Sequence, residues 1–172
     1  MVHLPAAALT AFHRALSQDR TPTEAAALTR QMGFEAGEGF YEAFRARLGR
    51  TDPADLSADD FWNRLSDFFQ SLGWGRLRFE RLHAGIAALT GEGWAEAEPG
   101  GTARQPTCHF STGVLADILG RVSGDDLAVL EVECRSRGDA KCRFLIGGPE
   151  ALRGVYESIR HGSSFPAAVD AL

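Results

Sequence analysis

Apolar positions along the first third of the chain repeat with the period of an α-helix. Leu9, Phe12 and Leu16 share one face after Pro5, a residue tolerated in a first helical turn. Thr21-Pro22-Thr23-Glu24 then has the pattern of a capping box with proline at the first helical position. The helix it opens carries Leu28, Met32, Ala36, Phe40, Phe44 and Leu48 on one stripe. Gly33, Gly37 and Gly39 fall inside it, each costing about 1 kcal/mol relative to alanine, so close packing against another backbone is the expected compensation. A polar stretch from Arg50 to Leu56 leads to a third helix, capped around Ser57 and Asp60. Its apolar face is Phe61, Leu65, Phe68, Phe69 and Leu72, and Gly73 closes it.

From Trp74 the period shortens. Leu77 and Phe79 alternate with arginines, and Gly85 to Thr90 and Trp94 to Glu98 read as further short strands among glycines. A helix is expected from about Thr107, with Val114, Leu115, Ile118, Leu119 and Val122 on its apolar side. Strands Leu127 to Cys134 and Cys142 to Ile146 follow as a hairpin. A closing helix carries Leu152, Val155, Tyr156 and Ile159, and the tail from Gly162 is expected to fray or pack late. The pattern predicts an α+β fold, an antiparallel sheet packed with helices. It forms one domain over residues 1–172, with an N-terminal helix within 1–20 and a tail over 163–172.

The chain has 172 residues, 44% of them hydrophobic and 24% charged, with a formal net charge of −5. That is ordinary globular usage and rules out disorder as the main state. No run of about 18 apolar residues suggests a membrane span. The start of the chain lacks the features of a signal peptide, so a cytoplasmic protein is expected. An acidic balance without a basic run argues against nucleic acid as a direct partner.

Cysteines stand at 108, 134 and 142, an odd number that fits metal ligation, redox chemistry or plain burial better than a disulfide framework. Cys134 and Cys142 sit at the two mouths of the predicted hairpin, where facing side chains lie about 5 Å apart. Cys108 begins a helix, where the dipole favours thiolate. His109, Glu131, Glu133 and Asp139 are nearby candidates for a fourth ligand, and sulfur-rich four-coordination points to zinc. Spacing alone leaves a metal site and buried cysteines equally open.

Cys108-His109-Phe110 with Gly113, then Glu131-Val132-Glu133-Cys134, Gly138-Asp139 and Cys142-Arg143-Phe144 resemble the 4-vinyl-reductase (4VR) domain family. The motif region runs over about 105–146, and the glycine-punctuated second helix is similar more weakly. The resemblance implies a fold shared with Golgi-transport tethering subunits and haem nitric-oxide-binding domains, and kinship with the sensor modules of phenol- and xylene-responsive activators. It implies a structural zinc ion, Zn2+, held by Cys108, Glu131, Cys134 and Cys142. Strict strand alternation puts Glu131 on the face opposite Cys134. Shared ligation therefore requires a bulge near Val132; in a regular strand His109 or a water would be the fourth ligand.

Trp62, Phe68, Trp74, Phe79, His83, Trp94 and Phe110 are candidates to line an apolar ligand pocket, or simply to fill the core. Tyr156-Glu157-Ser158-Ile159-Arg160 matches a short haem-propionate string but has no suitable upstream histidine. No phosphate loop, HExxH, GxSxG or paired acid–base carboxylates occur, which weighs against an enzyme. The resemblance therefore implies a zinc-stabilised binding or sensor module for an aromatic, hydrocarbon or lipid-like molecule. Such a module would signal through a separate protein and pair as a homodimer through the second helix. A tetrapyrrole (bacteriochlorophyll) biosynthesis accessory or carrier, and a protein-interaction scaffold, are the alternatives.

Overall fold

The computed structural model describes residues 6–98 and 100–172; Pro5, placed in the first turn by the sequence, lies outside them. The elements are α1 (Ala6–Leu16), α2 (Pro22–Leu48), α3 (Ala58–Ser71), β1 (Arg76–His83), β2 (Ile86–Glu92), α4 (His109–Ser123), β3 (Ala128–Glu133), β4 (Cys142–Gly147), α5 (Pro149–Arg160) and α6 (Phe165–Asp170). The strands form one antiparallel sheet in the order β1-β2-β4-β3. The fold is α+β, as the pattern predicts. Helices α3 and α4 cover one face of the sheet, with α2 laid along α4, and α5 and α6 cover the other.

Local rules place the helices. Thr21 and Glu24 form the reciprocal capping box that starts α2, and Ser57 caps α3 through the Asp60 N–H. The expected apolar stripe of α2 is displaced, however. Leu28 and Met32 are 39% and 40% exposed, while Ala25, Thr29, Gly33, Gly37 and Phe44 are buried. The small residues win because they let α2 and α4 touch backbone to backbone. A Cβ at Gly33 would run into the Phe110 carbonyl, one at Gly37 into Asp117, and one at Gly113 into the Arg30 carbonyl. The glycine face expected to pair with a second copy is thus occupied within the chain.

Trp94 to Glu98 is not a strand. Gly93 turns the chain out of β2 at φ +62°, and the following backbone bonds to non-strand partners. Ala95 N–H reaches the Trp74 carbonyl at 2.8 Å, and Glu98 N–H reaches Ser136 Oγ at 2.9 Å. The tail past Gly162 forms α6, whose Ala168 and Val169 are buried with Leu152 and Val155 of α5. On α5, Tyr156 is 48% exposed, with the Arg160 guanidinium over its ring. The haem-like string is therefore a surface stretch of helix. No helix of the described residues is long and apolar enough to cross a membrane.

Candidate metal centre

A β-bulge shapes the site. Glu131 pairs with Phe144 and Glu133 with Arg143, so Val132 is the extra residue on β3. Its side chain turns to the α5 face, among Ile86, Leu145 and Leu152. The inserted residue shifts the alternation by one, so Glu131 and Cys134 share the α4 side. Regular alternation would instead have grouped Cys134 with Ala128, Leu130 and Val132; the bulge breaks that grouping, and Cys134 joins the other core cluster. Cys142 opens β4 opposite Gly91, and Cys108 is the N-cap residue of α4.

All four side chains are buried, and one ligand atom from each lies within 4.8 Å of the others. Cys108 Sγ is 3.8 Å from Cys134 Sγ and 3.9 Å from Cys142 Sγ. A tetrahedral ion with metal–sulfur bonds of about 2.3 Å separates its sulfurs by about 3.8 Å. Glu131 Oε2 accepts the Cys108 N–H at 2.8 Å, while its other oxygen, Oε1, is buried without a partner. Such an orphan costs about 1–3 kcal/mol unless something pairs it.

The electrostatics point the same way. Burial, together with the charge of Cys134, pushes the Glu131 carboxyl up to about 9. Bonding to Cys134 and Cys142, followed by burial, pushes the Cys108 thiol up, whereas Cys134, bonded by the Cys108 and Cys142 thiols, is pushed down. Several acids crowded into a dry site resist ionising together, and a bound divalent cation reverses that penalty. The four residues can therefore hold a metal, and a sulfur-rich set with four protein donors is closed, without a position for reactive water.

The other ligand candidates have other employment. Asp139 Oδ2 accepts the Cys134 N–H at 2.8 Å and binds Arg137, shaping the hairpin end. Glu133 lies 3.3 Å from Arg143. The His109 ring faces His13 at 5.9 Å, and burial, with Arg30 and His13 nearby, pushes it down to about 4.

Six of the seven candidate pocket residues join one aromatic cluster between the sheet and helices α2, α3 and α4. Trp74 stacks on Phe110 at 6.0 Å, Trp62 on Phe79 at 4.3 Å, and Trp94 meets Phe69, Trp74 and Phe144. Phe68 packs on Phe44 and Phe69. Trp94 and Phe68 are fully buried, whereas Trp62, Trp74, Phe79 and Phe110 are half-buried at the cluster's edge. His83 is exposed at the end of β1, beside a second bulge, and is not gathered with them.

Glu96 is a functional candidate that the sequence pattern does not single out. Its carboxylate accepts the Phe110 and Ser111 N–H groups at 2.9 and 2.8 Å, and also the Ser111 hydroxyl. Ser111 Oγ in turn accepts the Trp94 indole N–H at 2.8 Å. Burial pushes Glu96 up to about 7 against these bonds. It borders a cleft of about 380 Å³ under α1, lined also by His13, Arg14, Glu98, Thr107 and Ser136. An acid among small and turn residues gives no periodic signal by which it could be found.

Residues 92–148 match the sequence model of the 4-vinyl-reductase (4VR) domain. No curated protein sequence matches the chain. Among solved structures, the phenol-responsive sensory domain of the transcription activator PoxR, with phenol, is similar at a TM-score of 0.68 and 20% identity, covering 87% of this chain and 77% of that one. A trafficking protein particle complex subunit 3 from Naegleria fowleri, covalently bound to palmitic acid, is similar at 0.67 and 12%, covering 83% and 91%. A vinyl-4-reductase family protein from Methanocaldococcus jannaschii reaches 0.41 at 20% identity, covering 81% and 91%. The stretch that supplies all four donors is thus 4VR-domain sequence, set in the fold of the PoxR sensory domain and the trafficking subunit.

Proposed function

We propose that the chain is a small-molecule binding module of the sensor type, taking an apolar aromatic, hydrocarbon or lipid-like ligand. The ion is zinc, and it acts structurally. The observation that carries the reading is the joint position of the two clusters on α4: Cys108 belongs to the metal set, and Phe110, two residues on, belongs to the half-buried aromatic edge with Trp74 and Phe40. An ion held there pins the first turn of α4 to the hairpin and fixes one wall of the aromatic cluster. The two fold neighbours, one with phenol and one with palmitic acid, support an apolar ligand class.

Ligand entry would part the rings of Phe40, Trp74 and Phe110, with Trp62 and Phe79 further along the same edge. Readout would pass to a separate regulatory protein in the cytoplasm. Self-association would use the outward side of α2, where Leu28, Met32 and Phe34 are exposed. Those same residues, with Phe12, favour a second reading, a protein-interaction scaffold.

Metal analysis and native mass spectrometry on protein purified without added metal test the proposal. A tryptophan-fluorescence titration with phenol and with palmitate completes the test. About one zinc per chain and saturable quenching by either probe are expected. Folded protein without metal overturns the zinc assignment. Zinc-loaded protein that binds neither probe and carries no adduct favours the scaffold, and a visible absorption band redirects the reading to a tetrapyrrole carrier.

A further inference from the structure

Helix α4 begins without a cap of its own. Its N-cap residue is Cys108, whose side chain makes no bond to the first turn and stands instead in the four-donor cluster. The first N–H groups of any helix lack intrahelical partners. Here two carboxylates from outside the helix take them. Glu131 Oε2 accepts from Cys108 at 2.8 Å, and Glu96 accepts from Phe110 at 2.9 Å and Ser111 at 2.8 Å.

Glu96 is held firmly enough to act as a fixed point. Its segment is tied down by the Trp94 indole on Ser111, by Ala95 N–H on the Trp74 carbonyl and by Glu98 N–H on Ser136. The Ser111 hydroxyl adds a further bond to the carboxylate. Three of the four donors, Glu131, Cys134 and Cys142, stand on the β3–β4 hairpin, where strand register places them. Cys108 alone comes from outside the hairpin, and only the first turn of α4 sets its position.

We propose that Glu96 is a positioning residue for the metal centre: it supplies the cap that Cys108 gives up to the ion, and so holds the Cys108 thiol in place for ligation. The proposal rests on the reading of the four-residue cluster as a metal site. Groups one step removed from a metal commonly set its affinity by 10–100-fold through the orientation of its ligands.

The test uses the full chain with Glu96→Ala, Glu96→Gln and, as a control on the same segment, Glu98→Ala. Zinc affinity is measured by competition with a chromophoric chelator, at a temperature where circular dichroism shows each variant folded. Glu96→Ala is expected to weaken zinc by about 10–100-fold. Glu96→Gln, which keeps one acceptor oxygen, should fall between it and the wild type, and Glu98→Ala should match the wild type. The cobalt-loaded proteins supply a readout that a merely stabilising residue would not move. The thiolate-to-cobalt band should shift or weaken in Glu96→Ala and keep its wild-type form in Glu98→Ala.

Wild-type zinc affinity and an unchanged cobalt spectrum in folded Glu96→Ala overturn the proposal. If that variant does not fold, the same result in Glu96→Gln overturns it. A wild-type protein that takes up neither ion overturns the metal reading as well, so the two failures are told apart.

Discussion

Replacing Cys142 by serine tests the metal centre at its best-placed donor. Cys142 is fully buried, opens a central strand and lies 3.9 Å from Cys108 Sγ. The substitution removes a thiolate but little volume, so packing loss is small. A buried hydroxyl left without a partner costs about 1–3 kcal/mol. Loss of the ion costs more. A ligand present at a thousand times its Kd stabilises the folded state by about 4 kcal/mol, and for a chain of this size each kcal/mol moves Tm by about 2–4 °C. Calorimetric melts with and without chelator separate the two costs. Wild-type Tm should fall by about 8–16 °C on chelation, whereas Cys142→Ser should start low and not respond to chelator. A wild-type melt indifferent to chelator, from protein that also lacks zinc by elemental analysis, refutes the reasoning.

Gly33→Ala should destabilise the fold by about 2–3 kcal/mol, because its Cβ meets the Phe110 backbone. Gly39→Ala, with open space around it, should stabilise by about 0.5–1 kcal/mol; urea melts of both variants check the pair. Burial raises Glu96 from 4.5 to about 7, so the folded chain binds this proton more tightly than the unfolded one. Its contribution to stability is complete below about pH 4.5 and is lost as pH rises through about 7, by about 3 kcal/mol at most. Urea melts of zinc-saturated protein across that window should show the decline, and Glu96→Gln should flatten it. Leu28→Glu with Met32→Glu, both on the exposed side of α2, should convert any dimer to monomer in light scattering without lowering Tm; an unchanged mass would remove that face from consideration.

Much of the architecture was legible because it rests on local rules. The capping box, the amphipathic α3 and the antiparallel hairpin are written in neighbouring residues. Alternation also exposed its own conflict at Glu131 and Cys134, and the bulge at Val132 that resolves it follows from the requirement that both face one point. What was not legible depended on partners distant in sequence. The buried side of α2 is chosen by how closely α4 approaches, which favours glycine over leucine and methionine. The segment after Gly93 alternates like a strand but finds no strand to pair with. Glu96 acquires meaning only when α4 turns out to lack a side-chain cap.

The closed donor set leaves the ion no direct part in chemistry, so any influence on ligand binding must be mechanical. Cys108 is joined through His109 to Phe110, which stacks on Trp74 with rings 17° apart and also meets Phe40 at 6.4 Å. Trp74 in turn lies 5.8 Å from Trp94, whose indole bonds to Ser111 on the same helical turn. Freeing Cys108 from the ion should therefore loosen this turn and let water reach the half-buried Trp74. Chelation of the folded protein is expected to shift tryptophan emission to the red and to weaken phenol binding, with both effects reversed by zinc. Phe110→Leu removes the stacked ring but leaves the four donors in place, so it should retain zinc and lose most of the emission response. If the ion leaves while emission and phenol affinity stay constant, the metal centre and the aromatic cluster are independent, and the ion stabilises the hairpin alone.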